Sequence, residues 1–421
     1  MTETTPALEL KHLKDAIEGS AAAFRCRRRL QPAGGEGDKV FPPTFAGAVY
    51  AIEQRRVPGR EGSVTCVLLD SVQSQANRME LALQEAIDAG KITMPLLVVD
   101  FSEHYDPKLD KDAADKADKL IDALGKVTSL QVPHRLADAI LRDSDLDGVA
   151  FRKSDRGRAL NQVSLANATP LLELCPTALV FGMWDSTGPK GGLGPKFERA
   201  MVSEIVGVGA EWQEDYRARG VRRDPLEIRA AVKVKKSADT SWTVAASDAK
   251  GKDIVAPSSV NHSSVPFDSK NSGVTIEYAE QTTTLSLICL RRLRFPINGT
   301  PSADTDAAAR TVLAALGLAA ATLAFDSGIG LRSRCLLWPD GPMEWELLER
   351  PGAKAAKFSL TGDAAIKLLN DAIASAETVK LPWAKKPIIL KPSTGKGRPE
   401  DLVELVRLSQ IEATKESGEA T

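Results

Sequence analysis

The densest chemistry-bearing stretch is TALVFGMWDS (177–186) followed by TGPKGGLGPKFER (187–199). An apolar run, Ala178–Trp184, ends at Asp185. The loop after it carries Gly188, Gly191, Gly192 and Gly194 with Lys190 and Lys196. Glycines allow a backbone to approach a ligand closely. Exposed backbone N–H groups with lysines form an anion-binding concavity, suited to nucleotides and nucleic acids. Two familiar phosphate loops are excluded. Gly194 is followed by Pro195, Lys196 and Phe197, so no G-x-x-x-x-G-K-[ST] is present, and Phe197 stands where a G-x-G-x-x-G needs glycine. Spacing alone fits equally a long surface loop between two strands.

Other residue types argue against catalysis. The four histidines, His12, His104, His134 and His262, have no second His or Cys at metal-ligand spacing. The five cysteines are widely separated with no C-x-x-C pair, as suits buried thiols in a reducing cytoplasm. No G-x-S-x-G elbow occurs. His134 reads as a helix-terminus or packing histidine, and Asp70 and Asp100 as strand-end helix caps before catalysts. The expectation is a non-enzymatic protein with no metal and no cofactor.

The positive signal is binding. Basic residues gather at Arg25–Arg29, Lys39, Arg152–Arg158, Lys190–Arg199 and Arg291–Arg334. The formal net charge is only −1, so a grip on a polyanion must come from such local clusters. Aromatic content is 5%, and no strand carries the aromatic pair on which RNA-recognition sheets stack bases. A grip on the phosphate–sugar backbone fits better.

The elements that must position these residues follow from periodicity. Residues 8–18 read as an amphipathic helix and Ala21–Leu30 as a strand, with Arg25, Arg27 and Arg29 on one face and Arg28 on the other. Residues 32–48 form a Gly/Pro-rich loop. Val64–Leu69 is a strand, Asp70-Ser71 caps a helix with Val72, Ala76, Met79, Leu83 and Ile87 at helical spacing, and Met94–Phe101 is a second buried strand. Strand, helix, strand opens an α/β or α+β sandwich. Residues 102–125 read as polar and helical, Pro133–Leu141 as a helix start, and 151–162 as a basic loop. Val232–Lys236 and Trp242–Ala245 suggest a protruding hairpin. Leu285–Leu290 and Cys335–Trp338 read as strands flanking an Ala-rich helix, Ala307–Phe325, and a second glycine loop, 327–334. That helix reads as buried, since alanine is weakly hydrophobic and Arg310 interrupts it. The charged N-terminus lacks the apolar core of a signal peptide, so the expected location is cytoplasmic, with no membrane partner.

Taken together, DSVQSQANR (70–78), PHRLADAILRD (133–143) and TALVFGMWDSTGPKGGLGPKFERAMVSEIVG (177–207) resemble the RAMP-superfamily backbone subunit of the type I-G (formerly I-U) CRISPR Cascade effector complex. PAGGEGDKVFPPTFAG and GLRSRCLL agree, and the resemblance spans roughly residues 8–350. It implies an α+β fold, a modified RNA-recognition-motif (ferredoxin-like, RAMP) sheet with large insertions. On that reading residues 8–390 form one domain, with 102–160 a mostly helical insertion and 235–275 a hairpin or loop, and residues 391–421 form a polar, partly disordered tail. Residues 32–62 and 235–275 both qualify as the superfamily's thumb.

The implied function is that of a crRNA (guide-RNA) binding subunit in antiviral defence. Several copies would stack as a helical filament along the guide, leaving it free to pair with target DNA. The implied partners are guide RNA, target DNA through the guide, further copies of the chain, other Cascade subunits and a recruited helicase–nuclease. The implied ligand residues are Lys190 and Lys196, with Gly191, Gly192 and Gly194 giving backbone access, then Arg25, Arg27, Lys39, Asn77, Arg78 and Arg199. The pair Arg332 and Arg334 resembles a shortened C-terminal RAMP glycine loop. Two readings remain beside it: a repeat-RNA-processing endonuclease using His134 or His12, and a metal-dependent nuclease using Asp70 or Asp100.

Overall fold

The computed structural model describes residues 5–45, 49–186, 194–211, 228, 231–237, 241–260, 273–396 and 399–418. Helix α1 (Leu10–Glu18) precedes strand β1 (Ala23–Pro32). Then come β2 (Ile52–Arg55), β3 (Val64–Asp70), helix α2 (Val72–Asp88), β4 (Met201–Val208), β5 (Tyr278–Ser286), helix α3 (Ala303–Phe325), β6 (Ile329–Arg332), β7 (Cys335–Pro339), β8 (Glu344–Leu348), β9 (Ala356–Ser359) and helix α4 (Gly362–Glu377). The nine strands form one sheet in the order β6-β7-β1-β5-β4-β3-β2, with β8 pairing β1 and β9 pairing β8. Neighbouring strands are antiparallel throughout. Hence β1 runs parallel to β4 across β5, with α2 in the intervening chain, and β5 runs parallel to β7 across β1, with α3 in the intervening chain. The architecture is α+β.

Alternation decides the two faces of β1. Phe24, Cys26, Arg28 and Leu30 are buried, while Arg25, Arg27 and Arg29 face the open side. The Ala-rich helix α3 starts with Ser302, whose side chain accepts from the Asp304 amide at 3.2 Å, and its first turn holds Asp304 and Asp306 against the helix dipole. It is long and apolar enough to cross a membrane, yet 78% of its apolar window is buried by the sheet and the neighbouring helices. It contacts α1, α2, α4 and β5. Gly317 permits that closeness: a Cβ there would meet Met201 Cε at 3.2 Å and Val180 Cγ1 at 3.3 Å.

A chain of buried polar groups crosses the helix side of the sheet. Arg28 Nη2 donates to Gln281 Oε1 (2.8 Å), and Gln281 Nε2 donates to Gln75 Oε1 (3.0 Å). Ser203 Oγ donates to the same oxygen (2.8 Å), and Gln75 Nε2 donates to Asp70 Oδ2 (2.5 Å). Partners left unsatisfied in such a site would cost about 1–3 kcal/mol each. The chain therefore ties β1, β5, β4, α2 and β3 to one register.

Several short elements differ from the sequence reading. Ala178–Trp184 is a buried helical turn, Thr177–Phe181, followed by a two-residue strand, Met183–Trp184. All five helical residues are buried, so alternation carries no signal there. Strand β5 ends at Ser286, which caps a short helix, Leu287–Arg291, where a strand was expected. The second glycine loop is largely β6, because Ile329 and Leu331 alternate inward. The helix expected from Pro133 is a 3-10 turn, Arg135–Ala137, and a short helix, Ala139–Arg142.

Leu97–Asp100 joins a second sheet with Lys126–Thr128, Ser144–Leu146, Val149–Ala150 and Ile388–Pro392, the last of which pairs with it in parallel. Lys391, where the polar tail was read to begin, lies in that strand, and a helix follows over Leu402–Gly418. Val234–Lys236, Trp242–Val244 and Ile254–Val255 form a separate three-stranded sheet.

Candidate nucleic-acid interface

Two surfaces gather the basic residues. On the open face of the main sheet, Arg25 forms an ion pair with Glu346 (2.7 Å) and Arg27 one with Glu280 (2.7 Å). Glu280 holds the Arg27 guanidinium in its charged form, and burial only partly opposes it. Arg29 stacks on the Tyr278 ring at 4.3 Å, and Arg55 pairs with Glu204 at 2.8 Å. The positive charges expected from the sequence are present here, but Arg25, Arg27 and Arg55 each have a carboxylate set against them.

The second surface is a cleft of about 850 Å³ between the first turns of α2, the 133–135 turn and the stems of the 185–195 loop. Its lining includes Gln73, Asn77, His134, Trp184, Lys196 and Arg199. Met183–Trp184 and Lys196–Phe197 pair antiparallel, with Trp184 opposite Lys196, so the loop is closed at its base by a hairpin stem. The Lys196 ammonium lies 5.5 Å from the Trp184 ring centroid, and the indole is 53% exposed. Arg199 and Asn77 are also exposed. Among the described residues neither Lys196 nor Arg199 forms an ion pair. Glu198, between them in number, is paired with Arg292. Gly194 is buried at the loop's return. Lys190, Gly191 and Gly192 lie outside the described residues.

The cleft walls are fixed from beneath. Arg135 is buried at a φ of +51° and donates to both Glu80 oxygens at 2.7 Å and to the Gly182 carbonyl at 3.1 Å. This one side chain thus joins α2, the 133–135 turn and the loop's first stem. Burial pushes the Glu80 carboxyl up, and Arg135 opposes that shift. Gly182 has a φ of +82°, and a Cβ there would come within 3.0 Å of the Phe197 carbonyl and of Arg199 Cγ. Only glycine combines that conformation with that approach. Arg152 anchors the loop's start through Asp185 at 2.7 Å. Val202 lines the cleft and lies in lateral register with Thr284 and Arg25, so the open face runs into it.

The remaining candidates are elsewhere. Arg78 donates to Asp70 (3.0 Å) and to the Gly330 and Leu331 carbonyls (3.1 and 2.8 Å). Arg332 donates to the Phe41 and Leu69 carbonyls (3.1 and 2.8 Å). Both therefore tie β6 to its neighbours. Arg334 is exposed with its guanidinium 4.4 Å from the Phe41 ring centroid, and Lys39 is exposed on the adjoining loop.

His12 caps α1, its Nδ1 accepting from the Glu9 amide at 3.2 Å, and its ring packs on Phe358. Asp70 is buried under Gln75, Arg78 and Arg332, whereas Asp100 belongs to the second sheet beside Lys126. Among the described residues no three His, Cys, Asp or Glu side chains gather as a metal site. Burial pushes the Cys26 thiol up to about 11, and the Cys175 and Cys335 thiols also upward, which disfavours the thiolate.

Trp184 is the residue that sequence reasoning missed. Its signal was an aromatic immediately before a glycine loop, with Lys196 at the loop's far stem.

Residues 24–212 match the family model for CRISPR-associated protein GSU0053. The match spans a little under half of the chain and contains every described residue lining the cleft. It supports membership of a CRISPR-associated family and a role in CRISPR defence. No curated protein matches the chain.

Proposed function

We propose that this chain is the guide-RNA-binding backbone subunit of a type I CRISPR effector complex, of the I-G kind, acting as a non-catalytic scaffold. The observation that carries the reading is the convergence of the segments 70–78, 133–143 and 177–207 on one cleft bearing two cations, Lys196 and Arg199, that have no carboxylate partner among the described residues. Those segments are also the ones that carry the family resemblance.

The strand order β7-β1-β5-β4, with a helix in each of the two connections between parallel strands, supports a modified RNA-recognition, split-βαβ fold for the core. Repeated copies would present their clefts along one guide, which pairs with target DNA while the protein holds its backbone. Other Cascade subunits would cap the array, and a recruited helicase–nuclease would cut.

Copurification tests the reading: the protein expressed with its array and partner subunits should carry one discrete guide-sized RNA. Recovery free of RNA, or with a random length distribution, would reject it. A second reading is favoured by His134, which is exposed in the cleft: an endonuclease cutting repeat RNA with that imidazole as general base. His134→Ala should then abolish cleavage of repeat RNA by the protein. Wild-type protein that leaves repeat RNA intact without metal would dismiss that alternative.

A further inference from the structure

We infer that the cleft is a receptacle for one unpaired nucleotide of single-stranded RNA, its base stacked on Trp184 and its flanking phosphates held by Lys196 and Arg199. The inference rests on the RNA-binding reading and adds what that reading lacks, a contact to a base. A groove that held only phosphates would need cations and backbone N–H groups. This one also has an apolar wall, with Val72, Ala76, Met183 and Val202 beside the half-exposed Trp184 indole. Apolar lining with a few polar groups at the edge is what a planar heterocycle requires. At about 850 Å³ the cleft falls within the ~300–1,000 Å³ of small-molecule sites and far exceeds the space one phosphate needs.

Gln73 and Asn77, four residues apart on α2, share one helix face, and both are exposed into the cleft. Each amide supplies a donor and an acceptor to a base edge. Lys196 already lies near the Trp184 ring as a cation, so a phosphate reaching that ammonium brings its own base to the indole. A base held within a duplex cannot reach such a wall, which restricts the ligand to an unpaired strand, RNA on the reading proposed above. On another part of the sheet Trp338 is more exposed, at 60%, but it lies on β7 in register with Gln31, away from the cleft lining. It serves as a control.

The test uses full-length protein freed of copurified nucleic acid and two ten-nucleotide probes, oligoadenylate and a ribose–phosphate chain lacking every base. Trp184→Ala should weaken oligoadenylate binding roughly 5- to 160-fold, the span of one base–aromatic stack. It should leave the salt dependence of binding and the affinity for the abasic chain unchanged. Trp184→Phe should restore most of the loss, and Trp338→Ala should have no effect.

Equal loss on both probes would overturn the inference, because Trp184 would then act through the fold or through Lys196. Unchanged oligoadenylate binding by Trp184→Ala would also overturn it. Either of these results with a discrete guide still copurifying leaves the scaffold reading standing alone. A base-dependent Trp184 effect without a copurifying guide removes the guide and keeps the nucleotide site. Failure of wild-type protein to bind either probe overturns both.

Discussion

The open face of the sheet and the cleft at its margin carry the same kinds of cationic residue, with different electrostatic commitments. Arg25 and Arg27 stand in a strand, and the neighbouring strands place Glu346 and Glu280 against them. Lys196 lies in a hairpin stem and Arg199 just after it, and among the described residues neither is paired with a carboxylate. A guanidinium already paired must give up its partner to hold a phosphate, while an unpaired ammonium gives up only water. Exposed ion pairs are worth about 0–1 kcal/mol, so the paired arginines remain recruitable, at reduced gain. Counting basic residues in a sequence therefore overstates the sheet and understates the loop.

The difference can be attacked at several points. The largest expected effect comes from Arg135→Met, which leaves Glu80 buried without its cation and should lower global stability by about 3–5 kcal/mol in urea unfolding. Loss below 1 kcal/mol would mean that the cleft walls are held by something else. Next, Lys196→Ala combined with Arg199→Ala should flatten the salt dependence of single-stranded RNA binding by about 1.4 units of log–log slope, at ~0.7 per phosphate. Arg25→Ala with Arg27→Ala should change it less. Equal slopes for the two double variants would erase the comparison.

The smallest effect is a gain. Glu280→Gln frees Arg27 and should strengthen RNA binding about twofold at low salt, read by filter binding or anisotropy, with the gain fading as salt rises. Weaker binding in that variant would mean that the ion pair orders the face for RNA.

Much of the frame was legible because its elements are long and one-sided. Helices α1 and α2 each show a buried stripe, and β1 alternates strictly enough that the opposite orientation of Arg28 is readable from residue order. Segments buried on every side were illegible, as in Thr177–Phe181, where no periodicity survives. The second sheet was hidden for another reason: Leu97–Asp100 pairs with Ile388–Pro392, and nothing local announces a partner so distant in the chain.

Of the residues implied by the family resemblance, Asn77, Lys196 and Arg199 line the cleft. Arg78 and Arg332 were chosen by the same logic, yet their donors go to Asp70 and to backbone carbonyls. An arginine beside an aspartate eight positions earlier looks the same in sequence whether it faces solvent or a buried carboxylate. Trp184 escaped because an aromatic at the end of an apolar run is read as core.

The stem formed by Met183–Trp184 and Lys196–Phe197 separates loop length from cleft geometry. Its ends are set by Gly182, Arg135 and Arg152, all on the stem side of Ser186. Doubling the length of a flexible loop costs only about 0.6 kcal/mol of closure entropy. A longer insert between Ser186 and Gly194 should therefore leave the pairing of Trp184 with Lys196 in place.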